Sequence, residues 1–266
     1  MIIRKSAHEI DRMRKAGRLV GHTLTVVSEA AKAGVSLLEL DALAEQTIRD
    51  AGAIPSFLGY HGFPATLCLS PNDVVVHGIP NRRVLKEGDI LSIDCGAIVE
   101  GYHGDAAVTV PVGEVDEAAM RLIATTERAM WAGIAQVRAG NRLSDIGHAV
   151  ERVAAIPGYG VVREYVGHGI GTAMHEEPQV PNYGRPGRGL RLDVGLVLAI
   201  EPMVNEGGAE TEVLDDGWTV VTRDGSRSAH FEHTVAITPA GPEVLTLLDG
   251  ATQEDWLGAQ GIGAGR

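Results

Sequence analysis

Apolar positions near the start of the chain recur with the spacing of an amphipathic helix. The tetrapeptide Ser6-Ala7-His8-Glu9 has the form of a capping box, in which a serine and a glutamate each bond the backbone of the other. The apolar residues that follow it at helical spacing are Ile10, Met13, Leu19, Val20, Leu24 and Val27. This pattern predicts a long first helix, and a similar pattern predicts a second helix from Leu37 to Arg49 that ends at Asp50-Ala51-Gly52.

Beyond residue 65 the pattern changes to short apolar runs bounded by turn residues, which is typical of strands. Runs at 66–69 and 73–76 are separated by Ser70-Pro71-Asn72, and a hairpin follows with its turn near Glu100-Gly101. The other predicted elements are hairpin strands over 90–97 and 106–110, helices over 117–139 and 143–154, and strands after the glycine-rich stretch 167–171. Helices and strands in this mixture predict an α+β fold.

The chain contains a partial copy of itself. Residues 85–94 lie over residues 192–201 at an offset of 107, and both segments read Leu-x-x-Gly-x, two aliphatic residues, a small residue, Ile and an acid. His61-Gly62 matches His168-Gly169 at the same offset, and the helical segment that begins at Gly34 matches the one at Gly140 at an offset of 106. A period this long is not that of a solenoid. It predicts two similar α+β halves.

No linker rich in proline or serine separates the two halves, so we expect one catalytic domain over residues 1–249. The halves are expected to cover about 1–111 and 112–249, and the glycine-rich residues 250–266 are predicted to form a flexible C-terminal tail.

Composition narrows the classes of partner. The net charge of −12 over 266 residues argues against DNA, and no apolar stretch reaches the ~18 residues of a membrane span. The start of the chain has no apolar signal region, and the two cysteines, Cys68 and Cys95, offer no disulfide framework. These features predict a cytoplasmic protein.

Four carboxylates stand in or beside the apolar runs. Asp94 follows 90–93, Asp105 precedes 106–110, Glu201 follows 196–200, and Glu232 lies within 231–237. A lone buried carboxylate costs several kcal/mol unless it is paired or metal-bound, and none of these runs contains lysine or arginine. Two explanations therefore remain: the four acids bind divalent cations at one site, or they lie at separate strand ends that are exposed to solvent.

Asp94 and Asp105 are expected to lie almost opposite each other in the hairpin, with Cβ atoms ~4.5–5.5 Å apart.

An imidazole completes the candidate ligands, because His168 lies in the glycine-rich stretch Gly167-His168-Gly169-Ile170-Gly171. Oxygen ligands with one imidazole suit Mn²⁺, Fe²⁺, Co²⁺ or Zn²⁺. Two such ions ~3.5–4 Å apart lower the pKa of a shared water, which favours hydrolysis of an acyl or phosphoryl bond. His77 and His175 lie beside turn residues, where they could act on a carbonyl or a leaving amide. No arginine or lysine clamp for phosphate is near, so acyl hydrolysis is favoured.

The chain resembles the type I methionine aminopeptidases from about Ser6 to Leu248. The resemblance rests on these motifs: Ser56-Phe57-Leu58-Gly59-Tyr60-His61-Gly62-Phe63-Pro64, Val76-His77-Gly78-Ile79-Pro80, Ser92-Ile93-Asp94, His103-Gly104-Asp105, Gly167-His168-Gly169-Ile170-Gly171, His175-Glu176-Glu177-Pro178, Ile200-Glu201-Pro202-Met203 and Phe231-Glu232-His233-Thr234. It implies the pita-bread fold, with two pseudo-symmetric halves around a dinuclear metal site. It also implies removal of the initiator methionine from nascent polypeptides whose second residue is small.

The resemblance implies a role for each candidate residue. Asp105 and Glu232 would bridge two divalent ions (Co, Mn, Fe or Zn), Asp94 would complete one shell, and His168 and Glu201 would complete the other. Glu201 would also shuttle a proton, His175 would polarise the scissile carbonyl, and His77 would contact the amide nitrogen. The pocket for the methionine side chain would be lined by Phe57, Tyr60, Phe63, Cys68, Met174 and Trp218, with His77 at its rim. A monovalent cation site would involve Asn72, Val74 and Ser228.

Two positions depart from the family pattern. Phe57 stands where some members carry cysteine, and Met174 stands where many bacterial members carry phenylalanine. Both remain apolar, so methionine selectivity is expected to be kept while the shape of the pocket changes.

Rival functions use the same kind of site. Prolidases and aminopeptidase P share the five ligands but carry a large N-terminal domain, which the ~55 residues before the first pocket motif are too few to form. A non-enzymatic binding protein on this fold would not need all five ligands and both histidines.

The protein is expected to be a monomer. Residues 1–18 hold six basic and two acidic residues, and this local charge of +4 is either a solvated helix face or a weak ribosome contact.

Overall fold

The computed structural model describes residues 2–253. Most of the predicted C-terminal tail therefore lies outside the described residues. Within the described range the α-helices are α1 (Ala7–Ala30), α2 (Leu37–Asp50), α3 (Glu117–Ile134) and α4 (Leu143–Ala154). None of these helices combines the length and the apolarity needed to span a bilayer.

The first helices form as their sequences predict. Ser6 caps α1 in a capping box with Glu9, and Ser36 does the same for α2 with Glu39. Helix α3 ends at Ile134 rather than near residue 139, so its predicted length was wrong. Successive tight turns replace the helix there, yet Val137 remains fully buried, so the apolar spacing continues beyond the helix.

Fifteen strands are present within residues 2–253. In chain order they are β1 (Ile54–Pro55), β2 (Leu67–Pro71), β3 (Val74–Val76), β4 (Ile90–Val99), β5 (Tyr102–Pro111), β6 (Gly160–Val161), β7 (Gly167–Gly169), β8 (Glu176–Val180), β9 (Val197–Ile200), β10 (Met203–Asn205), β11 (Thr211–Val213), β12 (Val220–Thr222), β13 (Ser228–His230), β14 (Glu232–Thr238) and β15 (Gly241–Val244). A short 3₁₀ turn spans Tyr60–Gly62.

One large antiparallel sheet organises the molecule. Its strand order is β1-β4-β5-β14-β9-β7-β8, with β2 added beside β4 and β15 beside β14. Two three-stranded sheets, β13-β10-β6 and β11-β12-β3, lie next to it. Helix α1 packs against β4 and β5, and α3 packs against α4 and against β13 and β10 of one small sheet. The α+β class is confirmed.

The two halves repeat each other in detail. The amide of Gly34 donates to the carbonyl of Leu85 before α2, and the amide of Gly140 donates to the carbonyl of Leu192 before α4, both at 2.9 Å. The repeated segments contribute to β4 and β9, with Asp94 in the middle of β4 and Glu201 directly after β9. The internal repeat therefore reports two pseudo-symmetric halves, as predicted.

The residue pairing in the hairpin differs from the prediction by two residues. Asp94 pairs with Ala107 and Asp105 pairs with Gly96, so the two aspartates are diagonal neighbours rather than opposite each other. The cause is a two-residue turn with positive φ at Glu100 (51°) and Gly101 (82°), which centres the ladder between these residues. Diagonal neighbours in a sheet still share a face, with Cα separations of roughly 7–8 Å.

Candidate metal centre and active site

Five neighbouring strands of the large sheet each bring one candidate ligand to the same place. Asp94 lies on β4, Asp105 on β5 and His168 on β7, while Glu232 opens β14 and Glu201 follows β9. These strands are consecutive in the order β4-β5-β14-β9-β7. The chain segments that supply the ligands are far apart in sequence, and the antiparallel sheet brings them together.

Threonine hydroxyls fix the backbone on both sides of Glu232, where the direct ladder between β5 and β14 is only two residue pairs long. The Thr234 hydroxyl donates to the carbonyl of Asp105 at 2.7 Å and accepts from its amide at 3.1 Å. The Thr109 hydroxyl holds His230 in the same way, at 2.8 and 2.9 Å. The ligand-bearing backbone is therefore held by hydrogen bonds that do not use the ligand atoms.

The imidazole of His168 faces two of the carboxylates. Its Nε2 lies 3.4 Å from Oε1 of Glu201 and 3.7 Å from Oδ2 of Asp105. Its Nδ1 lies 2.9 Å from the carbonyl of Gly169, so Nδ1 carries the proton and donates to that oxygen. The lone pair of Nε2 is then directed at the carboxylates, which is the tautomer a metal ligand requires.

The carboxylates lack partners inside the protein. Among the described residues, Oδ1 of Asp94, Oδ1 of Asp105, Oε1 of Glu201 and Oε1 of Glu232 are buried without a hydrogen-bond donor. The described residues that line this site include no lysine or arginine. Ligand atoms of Asp105, His168 and Glu232 lie within 4.8 Å of one another. Buried oxygens with no donor, beside a neutral imidazole, fit divalent cations.

Electrostatics supports the same reading. Burial raises the pKa of Asp94 to about 7. The pKa values of Asp105, Glu201 and Glu232 are well above the ordinary range because burial disfavours charge and the neighbouring carboxylates repel one another. Burial, and secondarily His175, lowers the pKa of His168 to about 3, so this imidazole is neutral at pH 7. The cluster is therefore short of positive charge.

The cluster forms one end of a cavity of about 390 Å³. All predicted site residues line it: Phe57, Tyr60, Phe63, Cys68, His77, Asp94, Asp105, His168, Met174, His175, Glu201, Trp218 and Glu232. The other end is an apolar group in which Phe57 and Met174 are almost fully buried. Phe57 reaches this wall because Gly96 lacks a side chain, since a Cβ there would lie 2.8 Å from the phenyl ring.

Two further histidines lie between the apolar wall and the carboxylates. The His175 ring is 4.3 Å from that of His168, and its Nδ1 lies 2.8 Å from the hydroxyl of Tyr60. His77 makes edge contacts with Tyr165 and Trp218, with ring centroids 5.5 and 6.2 Å apart. Burial lowers the pKa of His175, and burial lowers that of His77 to about 4. Both imidazoles are neutral donors at pH 7.

A second cavity of about 210 Å³ adjoins the first. The two cavities share His77, Asp94, His175 and Glu201. The residues that line only the second include Tyr165, Met203 and His230. His77 and His175 thus lie where the two cavities meet, and Asp94 and Glu201 line both.

Three features of the site were missed at the sequence level. His61 lines the first cavity, and its match to His168 in the internal repeat was a signal for it. His230 lies near Glu232, and the alternation of side chains along residues 228–232 places both on one face. The bond between Tyr60 and His175 joins loops 115 residues apart, and no sequence signal indicates it.

The residues proposed for a monovalent cation are partly adjacent. The carbonyl of Asn72 accepts a hydrogen bond from the amide of Ser228 at 2.8 Å, and Val74 opens β3. Asn72 has a positive φ of 55°, and its side chain donates to Asp89 at 2.8 Å. Cation binding there stays a prediction.

Similarity to known proteins agrees with this geometry. A methionine aminopeptidase of Clostridium acetobutylicum is 55% identical over 250 residues, covering 94% of this chain and all of the relative. The crystal structure of methionine aminopeptidase from Rickettsia prowazekii is 44% identical with a TM-score of 0.92, covering 93% of this chain and all of that one. Both are similar to this chain over nearly its whole length.

A more distant structure shows how widely the fold is shared. The prolidase from Pyrococcus furiosus has a TM-score of 0.75 at 22% identity, covering 93% of this chain and 66% of that one. This likeness shows the common pita-bread fold and nothing further. The family model of metallopeptidase family M24 matches residues 11–239. With ligands, cavity and relatives in agreement, the chain belongs to metallopeptidase family M24.

Proposed function

We propose that the protein is a methionine aminopeptidase that removes the initiator methionine from nascent polypeptides. The observation that carries this proposal is the continuity of one cavity, in which an apolar pocket leads directly to the carboxylate cluster. The high identity to relatives named methionine aminopeptidase supports it over a prolidase, since the prolidase likeness is one of fold alone.

The metal site in this proposal holds two divalent ions, of Co, Mn, Fe or Zn. Asp105 and Glu232 would contact both ions, Asp94 one of them, and His168 and Glu201 the other. When bound, such a pair supplies Lewis acidity and lowers the pKa of water towards neutrality. The unpartnered carboxylate oxygens support this assignment, because each gains a counter-charge that the protein does not provide.

The polar residues of the cavity have distinct proposed roles. Glu201 moves a proton from the nucleophile to the leaving amine. If the Tyr60 hydroxyl donates to Nδ1 of His175, then Nε2 of His175 carries a proton for the scissile carbonyl oxygen. His77 contacts the amide nitrogen that becomes the amine. Both histidines are neutral at pH 7, so each imidazole has one N–H group that can donate a hydrogen bond.

Substrate choice follows from the two compartments. The pocket of Phe57, Tyr60, Phe63, Cys68, Met174 and Trp218 accepts an unbranched, polarisable side chain. The second cavity, about 210 Å³ in volume, would receive the next residue. We expect cleavage before Gly, Ala, Ser, Cys, Thr, Pro or Val, and little before Leu, Lys, Glu or Phe. One methylene in a pocket changes discrimination by only about 1–3 kcal/mol, so steric collision must exclude the larger residues.

Hydrolysis of tripeptides tests the proposal directly. Metal-loaded protein should release methionine from Met-Ala-Ser, and the same protein treated with a chelator should not. Met-Lys-Ser is the matched control substrate, because it differs from Met-Ala-Ser only in the size and charge of its second residue. Release from Met-Lys-Ser within threefold of the Met-Ala-Ser rate would contradict the steric argument, and unchanged turnover by a metal-free sample would contradict the metal-dependent mechanism.

We also propose that the protein acts as a cytoplasmic monomer that meets its substrate at the ribosome. Within the described range, Lys15 pairs with Glu100 at 2.6 Å and Arg14 with Glu243 at 2.7 Å, so carboxylates already reduce the local charge of +4. Any ribosome contact is therefore weak and salt-sensitive, because it is screened within ~10 Å at 0.1 M salt.

Replacing the basic residues of α1 by glutamate should weaken co-sedimentation with ribosomes and leave tripeptide turnover unchanged. The replaced residues are Arg12, Arg14, Lys15 and Arg18. Binding that survives this change at low salt would show that the helix face is merely solvated.

A further inference from the structure

His230 is a buried imidazole for which the proposed chemistry has no use. Only 2% of it is exposed, and its Nε2 has no hydrogen-bond partner among the described residues. It lies on β13, two residues before Glu232, and it lines the second cavity beside Glu201. A buried ring nitrogen without a partner is uncommon and calls for a physical explanation.

The backbone that carries this ring is held on both sides. The Thr109 hydroxyl both donates to the carbonyl of His230 and accepts from its amide. On its other side β13 pairs with β10, where His230 lies opposite Met203. The imidazole is therefore directed by a doubly anchored strand.

Its neighbours are the unpartnered carboxylates. Ligand atoms of Glu201, His230 and Glu232 all lie within 4.8 Å of one another, the same spacing that holds for Asp105, His168 and Glu232. Ligands on one ion, at metal–nitrogen and metal–oxygen distances of ~2.1 Å, stand at most ~4.2 Å apart. Side-chain adjustments of less than about 1 Å would therefore place one cation within reach of all three.

We propose that His230 is a sixth protein ligand of the metal centre, and that it holds a divalent ion together with Glu201 and Glu232. This inference rests on the proposed metal centre, because it shares two carboxylates with it. Glu232 then belongs to both ligand groups, one with Asp105 and His168 and one with Glu201 and His230.

A second imidazole changes which metals the centre prefers. Imidazole suits Zn²⁺, Fe²⁺ and other borderline ions, whereas carboxylates alone suit Mn²⁺ and Mg²⁺. His230 should therefore strengthen binding of Co²⁺ or Zn²⁺ more than binding of Mn²⁺. Replacing His230 by glutamine keeps a polar side chain of similar size that can still hydrogen-bond to a carboxylate, but it removes the good ligand.

The test is proton NMR of the full chain loaded with Co²⁺. Each Co²⁺-bound imidazole with a buried N–H gives one hyperfine-shifted, exchangeable proton signal. We expect two such signals in the wild-type protein. His168→Gln should remove one, His230→Gln should remove the other, and His148→Gln, which changes a half-buried histidine outside both cavities, should remove neither. In the same samples, His230→Gln should lower the Co²⁺ affinity at least tenfold and the Mn²⁺ affinity less, as measured by competition with a chelator.

The outcomes separate this inference from the metal centre itself. A single wild-type signal that His168→Gln removes would overturn the role of His230 and leave the five-ligand centre standing. No shifted signal at all would overturn both. Because the wild-type spectrum alone distinguishes one bound imidazole from two, the test still decides if His230→Gln does not fold.

Discussion

Loading the metal-free protein with divalent cations should release more than about one proton per chain at pH 7, because buried carboxyl groups must ionise to become ligands. Burial raises the pKa of Asp94 to about 7, so about half of this group is protonated at that pH. Burial and the repulsion between neighbouring carboxylates raise the pKa values of Asp105, Glu201 and Glu232 well above their ordinary range, so these groups add to the release. His168 contributes none, since burial holds its pKa at about 3.

The measurement is isothermal titration calorimetry in buffers with different ionisation enthalpies at one pH. The dependence of the apparent heat on buffer enthalpy gives the number of protons released. The same protons make metal affinity depend on pH, and the sign follows from the raised pKa values. Affinity should increase as the pH rises towards and through 7, because fewer protons then have to be displaced.

Asp94→Asn is the matched control. It keeps the size of the side chain but carries no titratable proton, so it should release about half a proton less than the wild type at pH 7. At pH 6 the difference should grow to about one proton, because the carboxyl of Asp94 is then almost fully protonated. Release of less than about one proton in the wild type would refute the reasoning, because it would mean that the carboxylates are already ionised without metal.

Other substitutions test the ligands, the catalytic imidazole and the packing of the first helix. Glu232→Ala should lose metal, measured by elemental analysis, together with essentially all tripeptide turnover. His175→Ala should retain metal while kcat falls by roughly 10²–10³, and loss of metal instead would make His175 a support of the centre rather than a donor to the carbonyl. Gly17→Ala should lower the free energy of unfolding by about 1–3 kcal/mol in urea denaturation, because a Cβ there would lie 2.2 Å from the carbonyl oxygen of Leu245. The neighbouring exposed change Arg18→Ala should have little effect, and equal losses at both positions would contradict the packing argument.

The sequence was sufficient to single out the candidate ligands because burial and charge conflict within single runs. Asp94 and Glu201 close equivalent segments of the internal repeat, and each becomes the acid at the end of a buried strand segment. No local partner exists for either, so the need for a cation is visible without coordinates. The capping boxes of α1 and α2 were equally local signals, and they determine where those helices begin.

Features that depend on distant contacts were predicted less well. The register of the β4–β5 hairpin depends on whether its turn has two central residues. The pairing was wrong by two residues, which moved Asp105 from opposite Asp94 to a diagonal position. The end of α3 depends on tertiary packing, since Val137 is buried in a turn as fully as it would be in a helix. Apolar spacing reports burial, and burial alone does not fix the backbone conformation.

The seam between the halves explains why the site lies where it does. Strands β4 and β5 belong to the first half and β9 and β14 to the second, and the sheet joins them through the two residue pairs of the β5–β14 ladder. Asp94 and Asp105 reach the seam from one side, and Glu201 and Glu232 reach it from the other. The repeat matches Asp94 with Glu201, and the strand order β4-β5-β14-β9 places Asp105 and Glu232 on the two inner strands between them. In contrast, the repeat does not relate His168 to His230. The repeat matches His168 with His61, which lines the cavity but lies in a 3₁₀ turn, and His230 lies on a separate small sheet. The repeat and the strand order therefore account for the positions of the carboxylates, whereas the loops and the small sheets, which the repeat does not relate, determine which histidines lie beside them.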